Sequence, residues 1–435
     1  ISKPPFTLKH SMPIVRFLAF LLLLTPLREA QACSTYKVTA EGKTMVGSNY
    51  DSWLEQPRIW FETNGFGAAF SGARPEGSYG YAPQTGLNEY GLAFVTLATA
   101  TPANGKAFED RLPINSRTQY LKDILHRCRT VDEVKAYIDR YDHSVLSQDV
   151  FLYVDSTGRY LVAEPYAVTM GDDPSYVLAN FCPSTINDLS TIQQQRYVDG
   201  IAFLKNKLGT SLAFCTALSD TMHVCREKLG DGTLLTSILD LNKGIIHLFF
   251  YHDYARRSDF DLKEELAKGD HFIALPGLFP RNAHYNKLLG FKTPLNSSFL
   301  QGLILFGLGL FSLSAAIFLY LFFRKWKTKG HAAINLLLMA LSLLLAFYMV
   351  VLATRENMYY FPAPYSDGSG SLINLTSYIP FLLLILIVPL ILLNRKAFTE
   401  AAWRGLPKWS LALNTVSYLV LIGLFWYWGF YGVFG

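Results

Sequence analysis

The last third of this sequence is built for a bilayer. Four apolar segments, residues 299–323, 332–353, 375–393 and 411–434, each have about the 20 residues an α-helix needs to cross one. Arg324, Lys325, Lys327 and Lys329 lie between the first two segments, and Arg395, Lys396, Arg404 and Lys408 between the last two. Positive loops stay in the cytoplasm, so everything before the first span, and the C-terminus, is expected on the extracytoplasmic side. The loop 355–374, with Tyr359, Tyr360, Phe361 and Pro362, is external on the same reading. Charges inside the spans are nearly absent, which argues against a proton relay or transporter. Four spans exceed what an anchor needs, so a lipid-access or partner role stands beside plain anchoring. Over all 435 residues, 51% are apolar and 17% charged, with a net charge of +5. Loop lysines and arginines account for that charge, and nothing points to nucleic acid.

The N-terminus agrees with this orientation. Lys9, His10 and Arg16 precede an apolar run, residues 17–24, and Ala30-Gln31-Ala32-Cys33 follows. A basic flank, a short apolar run and small-x-small form a secretory signal peptide with its cleavage site. Removal of residues 1–32 leaves Cys33 first. A terminal cysteine carries a thiol and a free α-amine of pKa about 7.7–8.0, a nucleophile and its base on one residue. Two other readings compete. Cys33 is merely the residue after the cut, or it is lipidated as in bacterial lipoproteins, although Ala30 stands where those usually carry leucine.

Between the two ends the pattern alternates strands and helix pairs. Strands are expected at Ser34–Ala40, 44–47, Arg58–Glu62, 67–70, 92–98, 150–154, 160–164, 234–241 and 245–251. Helices are expected at 114–127, 131–141, 191–208 and 212–229, and a loop at 84–89. Asp155 to Gly158 and Asn242 to Gly244 are hairpin turns. The reading is an α+β chain: signal peptide 1–32, mixed domain 33–288, linker 289–298 and a four-helix transmembrane region 299–435. With Cys33 set aside, Cys128, Cys182, Cys215 and Cys225 either pair in an oxidising compartment or stay as buried thiols.

Four motifs in order give this domain a family likeness. They are Cys33-Ser34-Thr35, Gly47-Ser48-Asn49-Tyr50-Asp51, Gly86-Leu87-Asn88-Glu89-Tyr90-Gly91-Leu92-Ala93, and Asp155-Ser156-Thr157-Gly158 followed by Glu164. The segment from Cys33 to about Leu275 resembles the N-terminal nucleophile hydrolases of the choloylglycine hydrolase and penicillin V acylase type. It is similar too to the isopenicillin N acyltransferase-like group. The resemblance implies a four-layer αββα fold and hydrolysis of a linear amide, with no metal or organic cofactor. It implies Cys33 as nucleophile, Asp51 as the acid holding amine and thiol, and Asn180 as an oxyanion-hole amide. Arg196 becomes the cation beside the thiolate, and the backbone at Ala98 the second oxyanion donor. Each also has a plain reading: Asp51 as a turn cap, Asn180 as an exposed loop residue, Arg196 as a surface helix residue. Asn88 and Glu89 read as structural. Ser48 departs from the arginine that choloylglycine hydrolases carry there, which leaves bile-salt specificity in doubt and favours the acyltransferase-like side.

Other chemistries lack their signatures. There is no HExxH, GxSxG, GxxxxGK[ST] or strand-linked GxGxxG. No CxxC pair marks a zinc cluster, and His223, His247 and His252 show no ligand spacing. The expected substrate is a small acyl amide with a lipid-like tail, met at the membrane surface. The rivals are an acyltransferase that passes the acyl group to an amine, a silent binding or scaffold protein, and a lipidated assembly factor.

Overall fold

The computed structural model describes residues 33–53, 56–103, 105–108, 110–226, 229–324, 329–361, 363–365, 371–399 and 405–432. The expected signal peptide, residues 1–32, lies outside the described residues. The chain forms two units, residues 31–291 and 292–435.

The first unit begins with six strands: β1 (Ser34–Ala40), β2 (Lys43–Ser52), β3 (Arg58–Glu62), β4 (Ala68–Gly72), β5 (Thr85–Asn88) and β6 (Ala93–Ala98). Helices α1 (Arg117–Leu125) and α2 (Val131–Ile138) come next. Then follow β7 (Asp149–Val154), β8 (Tyr160–Ala163), β9 (Val168–Gly171) and β10 (Ser175–Leu178). A second pair, α3 (Gln195–Leu204) and α4 (Leu212–Thr221), leads to β11 (Cys225–Arg226), β12 (Asp231–Asp240), β13 (Ile245–Phe250) and β14 (Ser258–Asp261). The unit closes with α5 (Leu262–Leu266), β15 (His271–Ala274) and α6 (Ala283–Gly290).

All pairings between these strands are antiparallel. One sheet runs β10-β1-β2-β12-β13-β14, with β11 beside β12, and the other runs β15-β3-β4-β5-β6-β7-β8-β9. Side chains of both meet in one core, including Val46 and Leu239 from the first sheet and Val95 and Leu152 from the second. The outer face of the second sheet packs Phe70, Phe94 and Phe151 against Leu121, Ile124 and Val134 of α1 and α2. On the first sheet, Tyr36 reaches α4, its hydroxyl donating to Cys215 O at 2.6 Å. The result is the expected four-layer αββα sandwich. Burial on both faces explains why β12 reads as a continuous buried run rather than an alternation. Its hydroxyls find partners: Thr236 Oγ1 donates to Asn49 Oδ1 at 2.8 Å.

Three readings of the sequence change. The segment 84–89 contains a strand, not only a loop. Its Gly86 suggests a turn, but a Cβ there would come within 2.7–3.0 Å of Leu125, Phe94 and Phe70, so the glycine makes room for α1. The helix expected over 212–229 stops at Thr221, and Cys225 and Arg226 pair with β12, held by Arg226 Nε donating to Asp231 at 3.0 Å. The short strands β9, β10, β14 and β15 carry no period long enough to stand out in the sequence.

Asn88 explains its own motif. It is fully buried, and its Nδ2 donates to Leu125 O and Cys128 O, both at 2.8 Å. It thereby satisfies carbonyls at the end of α1 that the helix leaves open. All five cysteines are thiols in this structure.

The second unit holds four helices long and apolar enough to cross a membrane: α7 (Ser298–Arg324), α8 (Lys329–Thr354), a third span and a fourth. After the short α9 (Asn357–Tyr360), the third span is shared by α10 (Leu372–Thr376) and α11 (Ile379–Thr399), and the fourth is α12 (Leu406–Tyr427). The fourth helix therefore begins and ends earlier than the apolar run 411–434. Small and polar side chains join spans, with Ser314 Oγ donating to the fully buried Asn414 at 3.0 Å.

Candidate active site

The register of three strands brings the site together. On β1, Ser34 stands opposite Asn49 of β2, and Thr35 opposite Leu178 of β10. One residue further, Cys33 is level with Tyr50 on one side and Asn180 on the other. Asp51 follows one residue beyond Tyr50 on β2. Strand β10 was not legible in the sequence, yet it delivers Asn180.

Cys33 is 8% exposed. Its Sγ lies 4.0 Å from Asp51 O. Burial, reinforced by the Asp51 charge, pushes the thiol up to about 12, with the Asp51 backbone contact and Arg196 opposing. Asp51 sits inside β2 rather than in a turn. Thr233 Oγ1 donates to its Oδ1 at 2.5 Å, while its buried Oδ2 has no hydrogen-bond partner among the described residues. Burial pushes this carboxyl up to about 7, with the Thr233 bond the largest opposing influence.

Arg196 stands in the first turn of α3 and points inward. Its Nε donates to Cys33 O at 3.0 Å, and its Nη2 donates to Asn180 Oδ1 at 2.6 Å and to Gln194 Oε1 at 3.1 Å. Burial pulls its pKa down, opposed by the charges of Asp51 and Cys33. Asn180 is 1% exposed, which excludes the loop-surface reading. Its Nδ2 donates to Ala98 O at 2.7 Å. The amide orientation follows from chemistry, since arginine only donates and a carbonyl only accepts. Gln194 clamps the Asn180 backbone, accepting from its N at 3.2 Å and donating to its O at 3.1 Å.

Ala98 ends β6 on the other sheet. Thr99 N donates to Gln148 O beside β7, and Thr96 N donates the opposite way to Gln84 O. The alternation of an antiparallel ladder therefore turns the Ala98 N–H and C=O to the Gln84 side, away from β7. The Asn180 amide, donating to Ala98 O, ties the end of β6 to the segment that follows β10 on the other sheet. Of the five residues singled out in the sequence, Cys33, Arg196, Asn180 and Ala98 are joined by hydrogen bonds, and Asp51 adjoins them through its backbone oxygen, 4.0 Å from Cys33 Sγ. Ser48 is buried two residues along the ladder from the level of Cys33, opposite Thr35 and Ser237, and makes no cation available at its position. Gln194 and Thr233 were missed; neither has a sequence signal, because each acts through contacts across the fold.

Comparison with protein-family models finds no match, and comparison with curated proteins finds none. Among solved structures, two variants of conjugated bile acid hydrolase from Clostridium perfringens align with a TM-score of 0.44 and 15% identity, over 57% of this chain and 97% of theirs. Penicillin V acylase from Agrobacterium tumefaciens aligns with a TM-score of 0.43 and 12% identity, over 56% and 91%. A likeness at this level carries no residue roles to this chain.

Proposed function

We propose that this chain is a membrane-anchored amidohydrolase of the N-terminal nucleophile type, activated when removal of residues 1–32 frees the α-amine of Cys33. The observation that carries the reading is the single hydrogen-bonded path from Cys33 through Arg196 and Asn180 to Ala98. Around it, Asp51 keeps a buried carboxylate oxygen that has no hydrogen-bond partner among the described residues, one residue beyond Tyr50, which stands level with Cys33. An ammonium formed there would meet a ready acceptor.

In the unprocessed chain the Cys33 nitrogen is a peptide amide and no base. The thiol, pushed up to about 12, stays protonated. Once free, the amine takes the thiol proton, and the sulfur attacks the amide carbonyl. The carbonyl oxygen gains charge facing the Asn180 amide and the Ala98 N–H; one such donor is worth roughly 3–4 kcal/mol of barrier. The C–N bond breaks as the ammonium returns the proton to the leaving amine, and a thioester remains. Water, activated by the same amine, cleaves the thioester to the free acid and thiol. Arg196 keeps positive charge beside Cys33 and disperses the developing negative charge.

The four spans confine the enzyme to a bilayer, so the substrate class favoured is an acyl amide with a lipid-like tail, met on the extracytoplasmic side. The test is turnover of a panel of N-acyl amides by the processed protein and by Cys33→Ala. Release of acid and amine by the first alone supports the reading, and full activity of the variant overturns it. Added amine that diverts the acyl group into a new amide would mark an acyltransferase. A processed protein that neither turns over nor reacts selectively at Cys33 would be a binding or scaffold protein.

A further inference from the structure

We propose that Cys225, His252 and His284 form a zinc-class metal site behind Asp51. This proposal does not depend on the amidohydrolase reading. The three ligand atoms lie within 4.8 Å of one another, although the residues come from β11, the turn after β13 and the start of α6. No sequence spacing announces them, because only the fold unites them.

Each ligand is delivered by a specific local feature. His252 Nδ1 lies 3.2 Å from Thr233 O. A carbonyl only accepts, so Nδ1 carries the proton and Nε2 presents its lone pair. That Nε2 is buried and has no hydrogen-bond partner among the described residues. A histidine whose outer nitrogen is anchored on a carbonyl and whose inner nitrogen is bare is arranged as a metal ligand. The backbone is bent to achieve this: Tyr251 and His252 have φ of 57° and 45°, a left-handed conformation uncommon for residues other than glycine. Asn282 couples the second histidine to the first. Its Oδ1 accepts from His284 N at 2.9 Å, and its Nδ2 donates to Tyr251 O at 3.1 Å. Cys225 is set by its pairing with Gly232, where any Cβ would collide with Val224 O.

The donor set selects the metal. One thiolate and two imidazoles suit zinc rather than calcium or magnesium, which take oxygen. Bonds of about 2.0–2.3 Å in a tetrahedron separate ligand atoms by about 3.5 Å, so the three close by roughly an ångström on binding. Three protein ligands leave the fourth position for water. Binding deprotonates Cys225 and releases a proton. The Thr233 carbonyl holds His252, and its hydroxyl donates to Asp51, so an ion here also fixes the strand segment that positions Asp51.

The test uses full-length protein in detergent, stripped with chelator. Equilibrium dialysis should retain one zinc per chain, and cobalt(II) should give a thiolate-to-metal charge-transfer band. Cys225→Ser should abolish the band. Cys225→Ser, His252→Gln and His284→Gln should each weaken zinc binding at least about tenfold, whereas Cys33→Ser should change neither readout. The wild-type cobalt titration needs no variant to fold: absence of the band there, or its persistence in Cys225→Ser, overturns the proposal.

Discussion

Replacing Asn180 by Asp separates the oxyanion role proposed for this residue from its structural one. The two side chains have the same shape. In the native site Oδ1 accepts from Arg196 at 2.6 Å and Nδ2 donates to Ala98 O at 2.7 Å. The aspartate keeps the first bond and converts it to an ion pair, worth more than a neutral bond by about 1 kcal/mol. It loses the second and turns an oxygen toward the Ala98 carbonyl, a cost of about 1–3 kcal/mol. Gln194 still holds the backbone from both sides. The net change in stability is therefore about 0–2 kcal/mol, a fall in Tm of at most about 8 °C for a unit of this size. On the proposed mechanism catalysis fares far worse, because the amide that would donate to the oxyanion is replaced by negative charge. The expected loss in kcat is about 100- to 1,000-fold or more. The assay is single-turnover acylation by the processed protein with an N-acyl amide, beside thermal unfolding of the same preparation. A folded variant that acylates at the native rate would refute the oxyanion reasoning.

Further outcomes follow from the same contacts. Replacing Arg196 by Met removes the cation on Cys33 O, so the thiol of the processed enzyme should titrate higher and kcat/KM should fall about 10- to 100-fold, read from the pH dependence of thiol alkylation and of turnover; an unchanged profile would deny Arg196 its role. Burial raises the Asp51 carboxyl from an ordinary 3.8 to about 7. Below the lower value both folded and unfolded states are protonated; as pH rises, only the unfolded state ionises. Stability of the unprocessed chain should therefore fall by up to about 4 kcal/mol between pH 4 and 7 and then level. Asp51→Asn should flatten the Tm profile over that window, and an identical slope in both would count against the buried carboxyl. Gly47→Ala places a methyl into the Tyr36 ring, whose hydroxyl is fixed on Cys215 O and Ser219. The cost should be about 1–3 kcal/mol, seen as a Tm lowered by about 2–12 °C.

What the sequence discloses about this molecule follows from how local each signal is. The strand at Ser34–Ala40 and the apolar spans are visible because their pattern repeats over many residues. Asp51 is found because one hairpin returns the chain beside Cys33. Asn180 and Arg196 come from a family likeness rather than from periodicity. The strand that delivers Asn180 has four residues and a polar edge, too short to declare itself. Gly86 misleads because a glycine that admits Leu125 is indistinguishable in sequence from one that makes a turn. Gln194, Thr233 and the Cys225–His252–His284 cluster leave no trace in spacing, since each works through neighbours far along the chain. Ser48 stands where the resemblance leads one to expect an arginine, and the cation hydrogen-bonded to Cys33 O is Arg196.

Everything in the catalytic account depends on a free amine at Cys33. The most direct measurement is the intact mass and N-terminal sequence of the protein purified from membranes. The account predicts a chain beginning at an unmodified Cys33. A chain that retains residues 1–32, or one carrying a lipid adduct on Cys33, would leave the thiol without its base and contradict it.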